Sequence, residues 1–455
     1  MEKALAGQSS SSIRNWLMFL LPSLAGLLLF MTPVAWQGDI TIMIAVLAKS
    51  VQGMLAEQLP AVVTGLIVLS ALLTLLGSLM KPVWLLNSAF LNTLFNVRPV
   101  WLVSRLLGAL FVLLVHFQIG PELLYSGDTG GLVLNDLLPV LFSVFIFAGL
   151  LLPLLLDFGL LELVGTLLTR IMRPVFRLPG RSAVDCMASW LGDGSVGILL
   201  TSKQYEGHHY TQREAAVIGT TFSAVSITFS LVVLAQVKLE HMFLPFYGAV
   251  CLAGVVAAIV VPRLPPLCWK KDTFINGESR PADAEVTPEG YSRLKHGISL
   301  ALARAGKVES LGQVVRAGVH NALDMLLGVL PVVMAFGTIA LVVAETTPLF
   351  SWLGVPFVPL LELLGIPEAA AASQTIVVGF ADMFIPAILA SSIESDMTRF
   401  VIAALSVTQL IYMSEVGALL LGSKIPVNLL ELFVIFLMRT LVTLPVIAMV
   451  AHLVF

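Results

Sequence analysis

Charge is what this chain has least of. Lysine, arginine, aspartate and glutamate make up 12% of its 455 residues and hydrophobic residues 58%, whereas soluble domains carry about 25% and roughly 45–50%. That balance excludes an ordinary soluble domain and indicates a polytopic membrane protein. Neither sign of charge dominates: 25 basic against 28 acidic residues give a net −3, so nothing marks a nucleic-acid surface. Cysteine is scarce too. Cys186, Cys251 and Cys268 are odd in number and lack CxxC or Cys/His spacing, which argues against a disulfide framework and a zinc site. No HExxH, Ser-His-Asp set or paired-acid motif stands in a suitable context, and Gly192-Asp193-Gly194-Ser195 lacks the lysine of a phosphate loop. The pair His208-His209 is too small a ligand set for a metal. No enzyme, cofactor or metal is therefore expected.

What is present in quantity is apolar runs about as long as the ~20 residues a bilayer requires. They cover about 16–36, 61–80, 100–120, 132–156, 214–236, 241–261, 324–345, 398–422 and 427–450, nine expected spans. The first lacks a cleavage site and reads as a retained helix. Basic residues fall on alternate connections: Lys3 and Arg14, Lys81 and Arg98, Arg170 to Arg181, Lys203 and Arg213, then Arg263 to Arg316. The intervening connections hold Asp39, Glu57, Glu122, Asp128, Glu345, Glu362, Glu368 and Asp396. Since cytoplasmic loops retain Lys and Arg, the amino terminus is expected in the cytoplasm and the chain in a bacterial inner membrane. A polar connector at 263–323 divides the chain; it reads as a tether whose last part, about 292–320, could form a surface helix.

The sequence on either side of the connector repeats at an offset of about 188 residues. Each unit has a span (LPVLFSVFIFAGLLLPLLL; LGVLPVVMAFGTIALVVAE), an amphipathic stretch, a Leu-Pro or Ile-Pro pair at Leu178 or Ile366, and an interrupted apolar segment. Two more spans follow. The interruptions hold Asp193 in WLGDGSVGILLTS and Asp382 in VVGFADMFIPAILASS. An odd number of crossings per unit inverts the second copy, the architecture in which broken helices of secondary transporters meet near the midplane. The expected domains are accessory helices over 1–131, a first unit with its hairpin over 132–262, the connector, and a second, inverted unit with its hairpin over 324–455.

An acid at membrane depth costs on the order of 2.5–3.5 kcal/mol, so it marks a functional candidate. Asp193 and Asp382 are expected to couple ions or contact substrate; the plainer reading is an acid capping the helix break. Asp185 and Glu415 are further candidates. The span after each hairpin is rich in hydroxyls, Thr220 to Ser230 in one and Ser406 to Glu415 in the other. These residues serve helix packing in the plain reading. The match of Ser226 with Ser414 at the repeat offset favours a shared cavity wall, and Gln374 and Thr375 add groups suited to a polar solute. The expected substrate-binding set is Asp193, Ser195, Ser226, Gln374, Thr375, Ser414 and Glu415, with Asp193 and Asp382 coupling the ion. Glu431 and Arg439, two turns apart, read as a pair holding the last helix.

WLGDGSVGILLTSKQYEG with EAAVIGTTFSAVSITFS, and SEVGALLLGSKIPVNLLELFVIFLMRTL in the second half, resemble the nucleoside-recognition or Gate domain family, in its YjiH-like branch of bacterial inner-membrane proteins. The resemblance covers about 132–455. It implies an all-α membrane fold of about nine transmembrane helices plus two re-entrant hairpins in two inverted Gate-type repeats. Relatives of that fold include concentrative nucleoside transporters, the membrane core of ferrous-iron transport proteins and spore maturation proteins. Concentrative nucleoside transporters carry Gln and Glu signatures at their breaks, of which Gln374-Thr375 and Ser414-Glu415 are the nearest echoes. The expected function is a secondary transporter, proton- or sodium-coupled, for a small polar solute such as a nucleoside or nucleobase, working as a homo-oligomer. A membrane assembly factor or sensor on the same fold is the alternative.

Overall fold

A computed structural model describes residues 13–36, 39–191, 194–222, 227–281 and 291–455. Among them, seven helices are long and apolar enough to cross a bilayer: Ile13–Phe30, Leu59–Met80, Pro99–His116, Glu122–Leu156, Phe243–Arg263, Leu311–Thr346 and Leu429–Val454. The chain is a multi-pass membrane protein. Its outer surface fits that setting: Leu17, Leu21, Leu24 and Leu28 run down one side of helix α1 (Ile13–Met31) and all are more than half exposed. Such an apolar stripe is stable against hydrocarbon and not against water. An antiparallel ribbon of Pro33–Trp36 and Asp39–Ile42 follows, then α2 (Met43–Leu55), α3 (Leu59–Leu75) and α4 (Pro99–His116).

The unit that follows consists of α5 (Leu138–Leu151), α6 (Leu160–Phe176), the hairpin arms α7 (Ser182–Leu191) and α8 (Gly194–Glu206), α9 (Gln212–Thr221), α10 (Ile227–Gln236) and α11 (Phe243–Val260). After α12 (Arg293–Ala305) and α13 (Leu311–Asp324), the elements return in the same order. They are α14 (Leu330–Thr346), the short amphipathic pieces α15 (Leu349–Gly354) and α16 (Val358–Leu363), hairpin arms α17 (Ala369–Ile376) and α18 (Ile385–Ala390), α19 (Asp396–Gln409), α20 (Val416–Gly422) and α21 (Leu429–Val454). A π turn precedes α5 at Val133–Leu137 and α14 at Met325–Val329, each just ahead of a proline, Pro139 or Pro331. A widened turn leaves the i−4 carbonyl free where proline brings no N–H.

Two of the nine expected spans are not continuous helices. The run 214–236 is carried by α9 and α10, and the run 398–422 by α19 and α20. Helices α9 and α19 end at Thr221 and Gln409, with cap residues Phe222 and Leu410. The second break is fully described. Ser406 and Thr408 turn their hydroxyls back onto carbonyls of their own helix, a competition that weakens helical propagation. Leu410 takes a left-handed conformation (φ 61°). The freed backbone is satisfied by the hairpin: Met413 N donates to Phe380 O at 2.8 Å and Ser414 N to Ala381 O at 2.9 Å. Irregular backbone at membrane depth persists only with such protein partners.

The connector departs from the expected tether. Residues 291–324 form α12, which buries Gly297, Ala301, Leu302 and Ala305, and α13, which runs on through the π turn to give the long stretch Leu311–Thr346. The spanning helix thus begins well before residue 324. The preceding helices are fitted tightly to the rest: a Cβ on Gly108 of α4 would lie 2.0 Å from the Pro331 carbonyl oxygen at the head of α14. Only glycine allows that approach.

Candidate functional site

The break between α19 and α20 and the turn between α17 and α18 face one another. Asp382 lies in that hairpin turn. Its Oδ1 accepts from Phe384 N at 2.7 Å, closing the turn ahead of α18, and its Oδ2 accepts from Ser414 Oγ at 2.7 Å. One step along the break, the Tyr412 hydroxyl donates to Glu415 Oε2 at 3.0 Å. The carboxylate thus joins the backbone of its own turn to the Ser414 hydroxyl of the facing break. Val416, next in the chain, meets Gly194 at the start of α8, so the first hairpin also reaches this break. Ser195, on that first turn, is 1% exposed.

Asp382, Ser414 and Glu415 open onto a cavity of about 680 Å³, within the 300–1,000 Å³ typical of small-molecule sites. Among the described residues its walls carry three more acids, Asp128, Asp136 and Glu345, three aromatic rings, Phe229, Phe384 and Tyr412, and no Lys, Arg or His. Phe229 and Phe384 meet edge to face with centroids 5.9 Å apart. Glu345 stands at the far end of the helix that begins with α13. Asp324, 21 residues earlier, accepts from Lys203 Nζ of α8 at 2.5 Å, with Glu206 at 3.2 Å from the same ammonium. At 1.5 Å rise per residue, roughly 30 Å separates the acid at the cavity from this ion-pair cluster. That is about a hydrocarbon thickness, so the cavity and the ion pairs stand at opposite ends of this long helix.

The structure brings Asp382, Ser414 and Glu415 together on the cavity wall, and three expected residues, Ser195, Gln374 and Thr375, do not line it. Gln374 is exposed on α17, whose buried face is Ala372, Ser373, Thr375 and Ile376, and the Thr375 hydroxyl donates to Ala372 O. Asp193 and Ser226 lie outside the described residues.

The expected Glu431–Arg439 pair is not formed. Glu431 instead meets Lys270 Nζ at 2.6 Å and completes a capping box with Asn428 at the start of α21. Arg439, 0% exposed, spreads its guanidinium over the ends of both interrupted helices. Nε and Nη2 donate to Thr408 O (3.2 and 2.7 Å), Nε also to Gln409 O (3.1 Å), and Nη1 to Thr220 O and Thr221 O (3.3 Å each). Each helix C-terminus carries about half a negative charge, so two together balance one guanidinium without a carboxylate. The signal in the sequence was an arginine inside a span, a group too costly to bury unpaired.

Beyond the site, Glu214 of α9 is held between Arg173 (2.6 Å) and Arg280 (2.5 Å) while capping its own helix with Thr211. This fixes the base of the first interrupted helix to α6 and to the polar connection after α11.

Comparison with known proteins bears on the chain in two ways. Residues 138–240 match the Gate family, described as nucleoside recognition. An uncharacterized protein of Alkalihalophilus pseudofirmus is 52% identical over 448 residues, covering 98% of this chain and 96% of that one. No solved structure matches the chain.

Proposed function

From a chain that belongs to one family with that Alkalihalophilus protein and carries a nucleoside-recognition Gate domain over residues 138–240, we propose a secondary transporter for a small polar solute, a nucleoside or nucleobase, driven by protons or sodium. The observation that carries this reading is the cavity at the facing breaks, with Asp382, Ser414 and Glu415 on its wall. A membrane protein that only scaffolds others has no need of ionisable groups lining a chamber of that volume, because each is costly at depth. This weighs against the assembly-factor alternative.

In this reading α5 to α11 and α14 to α21 are two inverted units. Corresponding helices α9 and α19 end 188 residues apart, at Thr221 and Gln409. The solute rests against Ser414 and Glu415, with Ser195 and Ser226 contributed by the first unit. Asp382 couples the ion, and Asp193 of the first hairpin shares that role. The membrane is a bacterial inner membrane with the amino terminus in the cytoplasm, and the protein is a homo-oligomer. The Lys203–Asp324 pair closes the cytoplasmic side while the acidic cavity opens outward.

A ligand that binds the folded form alone stabilises it by RT ln(1 + [L]/Kd), about 2.7 kcal/mol at a hundredfold excess over Kd. Thermal unfolding of the protein in detergent, with nucleosides, nucleobases, other polar solutes and sodium added in turn, is expected to show a shift with a nucleoside or nucleobase. A well-folded protein whose midpoint no solute moves would overturn the transporter reading.

A further inference from the structure

One buried acid is not used by the cavity. Asp185, in hairpin arm α7, is 1% exposed. Its Oδ2 accepts from Thr201 Oγ1 at 3.0 Å and its Oδ1 from Gln204 Nε2 at 2.8 Å, both on the opposite arm α8. The same Nε2 lies 3.0 Å from the Tyr210 hydroxyl, which also reaches the carboxyl. Every one of these partners is neutral. The nearest cation, Arg181, makes its ion pair with Glu162 of α6 at 3.4 Å. The other titratable groups around the site are Cys186 and Tyr210; Glu214 of α9 is taken by Arg173 and Arg280. Finally, Gln204 Oε1 is enclosed and receives no hydrogen from any described residue.

Two facts converge: an enclosed carboxyl whose hydrogen-bond partners are all neutral, the Arg181 guanidinium nearby being paired with Glu162, and a buried acceptor without a donor among the described residues. An ionised carboxylate in such surroundings is strongly unfavourable, and an orphaned buried acceptor marks a place where a hydrogen is missing. None of the four side chains lines any of the cavities described among these residues; they are packed against one another. We propose that the Asp185–Thr201–Gln204–Tyr210 cluster is a proton-binding site, and that the coupling ion of this protein is the proton. The carboxylate takes one proton from the aqueous side and becomes a neutral acid. Its new O–H donates to Thr201 Oγ1, whose own hydrogen turns to its helix, or to the Gln204 amide with its oxygen turned inward. Release reverses the step, and no other bond is made or broken.

The site also ties the two arms of the hairpin together, which gives protonation a mechanical consequence. With the acid neutral the arms close on each other; an ionised Asp185 draws in water or Arg181 and loosens them. The second hairpin has no equivalent, since Ser373 stands where the repeat offset would place an acid. The coupling role rests on the transporter reading, but the proton site does not.

The test uses the whole protein and no solute. Infrared difference spectra between wild type and Asp185→Asn at neutral pH are expected to show the carbonyl stretch of a protonated carboxylic acid, lost in the variant. Asparagine keeps the Gln204 bond and presents an N–H to Thr201, so the variant is expected to fold. The native protein would hold a proton that the unfolded chain releases above about pH 4. Wild-type stability therefore falls as pH rises, by up to about tenfold in the folding constant per pH unit until Asp185 ionises, and the variant loses this slope. Absence of the carboxylic-acid band, or a variant that melts well below wild type at neutral pH, would overturn the proposal. A proton site found together with no solute response would leave the site standing and remove only its role in transport.

Discussion

Arg439→Met is expected to cost the fold about 3–5 kcal/mol, the range found when one side of a buried charged contact is removed. The methionine fills a similar volume but takes the guanidinium's hydrogen bonds from the Thr220, Thr221 and Thr408 carbonyls at the ends of α9 and α19, while Gln409 O keeps its bond from Ile411 N. Each buried orphan costs about 1–3 kcal/mol, offset in part by the release of a charge from a dry site. Both interrupted helices lose their anchor at once, so the loss should appear as one cooperative drop in melting temperature of the purified protein. Arg439→Lys should recover only part of it, since an ammonium cannot span two helix ends with a planar fork. A methionine variant that melts like wild type would show that the breaks are held by the hairpins alone. Helix C-termini of this kind coordinate the coupling cation in secondary transporters; here a tethered guanidinium already occupies them.

Asp382→Asn is expected to leave the protein folded and abolish coupled uptake. The Asn oxygen can still accept from Phe384 N, and the amide can donate to Ser414 Oγ where the carboxylate accepted. The structural loss is therefore on the order of 1 kcal/mol, that of one altered hydrogen bond. The negative charge is gone, and with it the group proposed above to couple the ion. Uptake into proteoliposomes under an ion gradient should fall about a hundredfold or more, which corresponds to about 2.7 kcal/mol of lost interaction. Unchanged uptake would remove Asp382 from the mechanism.

The membrane class, the first and last spans, and the acid at the second hairpin were all readable from residue types alone. The helix breaks were not, for a physical reason. Hydropathy counts apolar atoms, and Leu410-Ile411-Tyr412-Met413 is as apolar as any span. A leucine at φ 61° carries no local signal; the break is imposed by the Phe380 and Ala381 carbonyls that draw off the Met413 and Ser414 amides. Gln374 stands on the exposed side of α17, whereas its neighbour Thr375 is buried; which residue of such a pair turns inward is decided by packing. Arg439 was visible as an expensive residue, but looking along its own helix for a partner missed carbonyls supplied by two distant helices. The π turns before Pro139 and Pro331 were signalled by the prolines, which read equally well as ordinary kinks.

The claim at the centre is that Asp382 faces a water-filled chamber open to one side. Ile385 lines that chamber one turn beyond the acid. With Cys186, Cys251 and Cys268 replaced by alanine, Ile385→Cys should react with a membrane-impermeant thiol reagent from the outer face alone, and more slowly when the transported solute is present. A cysteine that no water-soluble reagent reaches from either face would contradict the existence of the site.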